Sequence, residues 1–154
     1  MNEEVNAALA KLKDDTATKK DVMELKHFAN HGNTKAALNY GICLFVGHLI
    51  DEDREEASRY FEKVYMSGRI EELNELSDFY NEVGGPAYND LSEMIVKKAM
   101  SKFKELSLDE QLDFFMKYAN KDVVDEVMEM MKSHANEFSI QSRRNSSIFS
   151  KMLK

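Results

Sequence analysis

The chain has 154 residues, 43% hydrophobic and 32% charged, a balance that excludes both a disordered polymer and a membrane-embedded one. Its net charge of −7 argues against nucleic acid as a partner, because phosphate binding needs a basic face. One cysteine, Cys43, excludes an internal disulfide framework and fits a reducing, cytoplasmic setting.

With a single proline, Pro86, and 6 glycines, the chain has little punctuation for strands. Its abundant Ala, Leu, Met, Glu and Lys favour helix. The N-terminal stretch 1–15 is acidic and lacks an apolar segment of signal-peptide length. No run reaches the roughly 18–20 apolar residues of a membrane helix. Apolar spacing predicts helices near 3–13, 18–31, 34–46, 53–67, 70–83, 89–104, 108–119 and 121–137, and a short one can form near 145–153. Ala57, Tyr60, Phe61, Val64 and Tyr65 show the pattern best, as one apolar stripe at i, i+3, i+4, i+7 and i+8.

Helix ends are legible as well. Gly32, Gly47, Gly68 and Gly84-Gly85 each follow a periodic segment, where glycine can adopt the left-handed capping conformation. Asp51 or Asp53 is expected to start the helix at Arg54, and Asn89 or Asp90 the helix at Leu91. Ser107 followed three residues later by Glu110 is a capping-box pattern.

Gly32 and Gly68 stand 36 residues apart, as do Gly41 and Ser77, and Leu44 and Tyr80. Lys63 and Ala99 align at the same step, and a weaker third unit runs from Lys104. A glycine in mid-helix costs about 1 kcal/mol relative to alanine, a cost offset where it lets another helix approach closely. Ala37, Gly41 and Ala57 are the expected contact points, with Tyr60 and Phe61 filling the space between hairpins.

The segment 32–68 resembles a Sel-one-like repeat, a relative of the tetratricopeptide repeat. The residues carrying the resemblance are Gly32, Ala37, Tyr40-Gly41, Leu44, Gly47, Ile50, Asp53, Glu56-Ala57, Tyr60-Phe61, Lys63 and Gly68. The unit at 69–104 departs from the pattern, with Ser77 at the small position and Gly84-Gly85-Pro86 in its turn. The resemblance implies a protein-interaction scaffold or adaptor. Single Cys43 departs from the disulfide-rich secreted members and from the hydrolase-type activities reported for them.

Other chemistry is weakly signalled. His27 and His31, four apart, could share a metal ion but have no third ligand at motif spacing, so no metal site is assigned. Cys43 lies in the apolar stretch 42–46 and reads as an inert core thiol. The acids at 51–56 read as helix capping, since a calcium loop would need a central glycine. Six of the 10 methionines, Met94, Met100, Met116, Met128, Met130 and Met131, crowd the second half and read more readily as core than as a binding groove. The last sixteen residues carry +4 against −7 for the whole, leaving −11 on the rest. Within this basic tail, Arg143-Arg144 before Ser146 forms a possible kinase site.

These observations predict an all-α protein, an α-α superhelix of about eight helices. One helical-repeat domain spans 1–138, and 139–154 forms a flexible or docking tail. The expected function is binding a protein or peptide on the concave face, with Asn39, Phe45, Asp78 and Tyr80 as contacts. No cofactor, nucleic acid or membrane is expected, nor catalysis. The alternatives are a self-assembling structural subunit, or a metal-binding protein or enzyme.

Overall fold

A computed structural model describes residues 2–118, together with Asp125 and Glu129. Among the described residues the protein is all-helical, without strands. Its helices are α1 (Asn2–Lys13), α2 (Lys19–Asn30), α3 (Thr34–Val46), α4 (Arg54–Ser67), α5 (Ile70–Val83), α6 (Pro86–Glu105) and α7 (Leu108–Tyr118). The expected helices at 121–137 and 145–153, and the tail with Ser146, lie outside the described residues. Contacts group the chain into two compact units, Met1–Val96 and Lys97–Lys154, a division inside the 1–138 stretch that the sequence reads as one domain.

Side-chain caps set most of the helix starts. Asn33 accepts from the Ala36 N–H at 2.9 Å and opens α3; Asp53 accepts from the Glu56 N–H at 3.0 Å and opens α4. Ser107 and Glu110 form the expected reciprocal pair at α7, at 3.2 and 3.1 Å. A second such device at α2 was not read from the sequence: the Asp21 carboxylate accepts from the Thr18 N–H at 2.8 Å and from its hydroxyl at 3.1 Å. Lys11 of α1 donates to the same carboxylate at 3.1 Å and ties α1 to α2.

Two expectations about ends are corrected. α6 begins at Pro86, so Asn89 and Asp90 sit inside it, with the Asn89 N–H bonded to the Gly85 carbonyl at 2.9 Å. Proline suits a first helical turn, whose N–H has no partner within the helix. Gly68 is extended (φ −68°, ψ 153°) and not left-handed. Its small size matters instead because a Cβ there would run into the Val64 carbonyl oxygen. Gly47 does close α3 in the left-handed conformation, at φ 75°.

In the first unit each helix from α1 to α5 packs on the next, and α3 also packs on both α1 and α5. The 36-residue step holds for the first helices. Ala37 and Leu73, Tyr40 and Leu76, Gly41 and Ser77, and Leu44 and Tyr80 are all buried at equivalent positions of α3 and α5. The second helices keep a different step, 35 residues. Val22, Ala57 and Ser92 are buried equivalents on α2, α4 and α6; so are Leu25, Tyr60 and Ile95, and Ala29, Val64 and Ala99. Val64, rather than Lys63, is therefore the counterpart of Ala99.

The close approach expected at Gly41 is present. A Cβ on Gly41 would lie 2.7 Å from the Phe61 ring. Phe61 in turn meets Phe79 at 5.7 Å and Tyr80 at 5.5 Å between ring centres, so it bridges α4 to α5. Tyr60 packs edge-on against Tyr40 and donates its hydroxyl to Asn30 at 2.9 Å. At the equivalent of Gly41, the Ser77 hydroxyl lies 2.7 Å from that of Ser92, which also donates to the Ser77 carbonyl at 3.1 Å. This pair satisfies two buried polar groups while α6 seats on α5. In the second unit, Phe103 packs against Phe114 and Phe115 at 5.6 and 5.1 Å.

Two outcomes follow from this packing. Gly41→Ala gains about 1 kcal/mol of helix propensity but must displace a ring held on several sides. A net loss of roughly 1–2 kcal/mol is expected in urea unfolding. The Thr18 amide and then the Lys11 ammonium hold the Asp21 carboxyl below its ordinary range. A depressed folded value stabilises above the unfolded value and loses that contribution as pH falls through the folded one. Asp21→Asn should therefore lower the urea midpoint at neutral pH, with the difference narrowing below about pH 4.

Candidate interaction surface

The α3 helix is enclosed on nearly every side. Ala36, Ala37, Leu38, Tyr40, Gly41, Cys43, Leu44 and Phe45 are buried. What stays open is a ribbon of Lys35, Asn39, Ile42 and Val46, spaced i, i+4, i+7 and i+11. Lys35 and Asn39 are half-buried, as is Ile42, and Val46 is 55% exposed. One repeat later the same positions on α5 are Glu71, Glu75, Asp78 and Glu82. Glu75, Asp78 and Glu82 are exposed.

The two ribbons run parallel. Near the helix starts, the Thr34 hydroxyl donates to Glu72 at 2.6 Å. Near the ends, the Phe45 and Phe79 rings meet edge-on at 5.2 Å. Glu72 is 3% exposed, and Arg69 donates to it at 3.2 Å, so its buried carboxylate is compensated from both helices. On the other flank, Lys35 donates to Asn6 of α1 at 3.3 Å. Asn39 donates to the Lys35 carbonyl at 2.9 Å.

Two acids of the α5 ribbon, Glu75 and Asp78, are perturbed. Partial desolvation pushes the Glu75 carboxyl up; Lys35 and Lys13 oppose this, while Glu72 and Asp78 add to it. Desolvation also raises Asp78, with Glu82 adding to it.

The expected contact residues separate into two pairs. Asn39 and Asp78 belong to the open ribbons. Phe45 and Tyr80 do not: they are 5% and 6% exposed. They belong to an aromatic cluster with Phe61, Phe79 and Tyr88, in which Tyr80 stacks on Tyr88 at 5.7 Å. Burial, and then Tyr88, pushes the Tyr80 hydroxyl up to about 12. The α3 helix is apolar almost all round, so the sequence could not show which face Phe45 takes. Ile42, Val46, Glu75 and Glu82 complete the ribbons and are not among the expected contacts, although their 36-residue correspondence points to them.

The remaining sequence signals take structural roles. His27 and His31 lie with ring centres 4.3 Å apart, and His31 Nδ1 is 2.7 Å from the His27 carbonyl oxygen, an interaction that caps the end of α2. Among the described residues, no group of three His, Cys, Asp or Glu side chains is placed to hold a metal ion. Asp53 caps α4, and Glu52 pairs with Arg54 at 3.0 Å. Met94 and Met116 are 43% and 58% exposed and Met100 is half-buried, so the core role expected for the methionines fails at the first two. Met128, Met130 and Met131 lie outside the described residues.

A separate groove of about 490 Å³ opens beside the α2–α3 turn, lined in part by Gly32, Thr34, Arg59, Lys63 and Met66. Its cations are already engaged. Arg59 pairs with Glu56 at 3.0 Å, and Lys63 lies 4.8 Å over the Tyr60 ring.

No helix among the described residues is long and apolar enough to cross a membrane. The chain matches no protein-family model, no curated protein and no solved structure.

The buried Cys43 gives this subsection its test. Desolvation pushes its thiol up to about 11. The thiolate is the reactive form, so a thiol-specific reagent at about pH 8 should label the native chain on the order of 100-fold more slowly than the urea-unfolded chain.

Proposed function

We propose that the chain is a protein-interaction module, a short solenoid of Sel-one-like helical hairpins that binds a peptide or helix across its first helices. One observation carries the reading: the open ribbons of α3 and α5 occupy equivalent positions and lie side by side on helices whose other faces are buried. A surface of this kind presents fixed side chains at repeat spacing, which is how stacked hairpins recognise an extended partner. Its residues are Asn39, Ile42 and Val46 from α3, and Glu75, Asp78 and Glu82 from α5. The proposal includes a cytoplasmic setting, supported by the single cysteine and its buried thiol.

A photo-crosslinking residue at Asn39 or Glu75, compared with one at Ser58 on the exposed side of α4, tests this in the native cells. Protein adducts are expected at the first two positions and not at Ser58. Adducts at Ser58 alone, or at none of the three, overturn the reading. Adducts of twice the chain mass assign the surface to self-assembly.

A further inference from the structure

The interaction surface changes character along its length. At the starts of α3 and α5, Lys35 and Lys13 partly compensate Glu75. At their ends the pattern reverses. Ile42 and Val46 leave apolar surface on α3, and Asp78 and Glu82 occupy the equivalent positions on α5. Asp78 and Glu82 are four residues apart on one face, a like-charge spacing that destabilises a helix. Glu82 also lies in the last turn, where the helix dipole is negative and disfavours an acid.

Neither α3 nor α5 has a basic residue in its last turn. Two helix C-termini and two carboxylates therefore converge on the end of the surface marked by the Phe45–Phe79 contact. Arg54 reaches this end but is engaged, 4.3 Å over the Phe45 ring and 3.0 Å from Glu52. Among the described residues, Asp78 and Glu82 thus have no basic partner in the last turns of α3 and α5, and they lie beside exposed apolar surface.

We propose that this end of the surface takes a basic amphipathic segment of a partner protein, with Lys or Arg over Asp78 and Glu82 and apolar side chains on Ile42 and Val46. A cation there relieves the carboxylate repulsion and meets both helix dipoles, and the apolar contacts remove Val46 from water. Charge complementarity selects this occupant over an acidic one. The proposal rests on the interaction reading above and names its partner's chemistry.

The test uses the full chain and a short labelled peptide of Lys, Leu and Ala, ordered to put its leucines on one helical face. Fluorescence anisotropy at low salt should show saturable binding. Asp78→Asn/Glu82→Asn should weaken it roughly five- to tenfold, whereas Glu24→Gln/Glu55→Gln, which removes two exposed acids from α2 and α4, should not. A peptide of the same composition with scrambled order should bind more weakly. Equal loss in the two double variants, equal affinity for the scrambled peptide, or no saturable binding overturns the proposal. Because all four acids are exposed, these variants leave the core untouched. Adducts at Asn39 without this peptide selectivity would keep the interaction module and remove the basic partner.

Discussion

The first unit depends on the seating of Phe61 against the bare backbone of Gly41. That contact brings α3 and α4 close enough for Ala37 and Ala57 to be buried, and it aims the ring onward at Phe79 and Tyr80 of the next hairpin. A single ring therefore joins the two helices of one hairpin and links that hairpin to its successor. A β-carbon at position 41 would disturb both joints at once, because a packed interior transmits small displacements rather than absorbing them.

The same enclosure determines how much of α3 reaches solvent. A helix with neighbours on most of its circumference offers only a ribbon to solvent, and under the proposed function the ribbon's composition would set the chemistry of recognition. On α3 that ribbon passes from lysine and asparagine to isoleucine and valine, and on α5 it is acidic throughout. There desolvation disfavours the charged forms of Glu75 and Asp78, with neighbouring carboxylates adding to the effect.

Much of the architecture was legible in the residues. Asp53, Ser107 and Glu110 announced helix starts because their side chains accept from backbone donors that the helix leaves unpaired. The start at Pro86 is not legible, because proline after Gly84-Gly85 reads equally as turn punctuation and as a first helical residue. The 36-residue step emerged because α3 and α5 bury matching positions. The 35-residue step of α2, α4 and α6 stayed hidden, since their buried residues share size class poorly: Val22, Ala57 and Ser92 occupy one position. The surface was only half legible. Asn39 and Asp78 follow from the repeat, but placing Phe45 and Tyr80 inside required knowing which neighbours surround α3, and that information is tertiary.

The α1 helix buries two residues, Val5 and Ala8, where α3 buries eight. Local opening costs least where least is buried, so amide exchange should begin in α1 well before it reaches α3. Since α1 packs on α3 and Asn6 accepts from Lys35, that opening loosens one flank of the α3 ribbon while the buried side of α3 stays packed. A partner bound at Asn39, as proposed, would therefore meet one yielding side at α1 and one firmly packed side at α3.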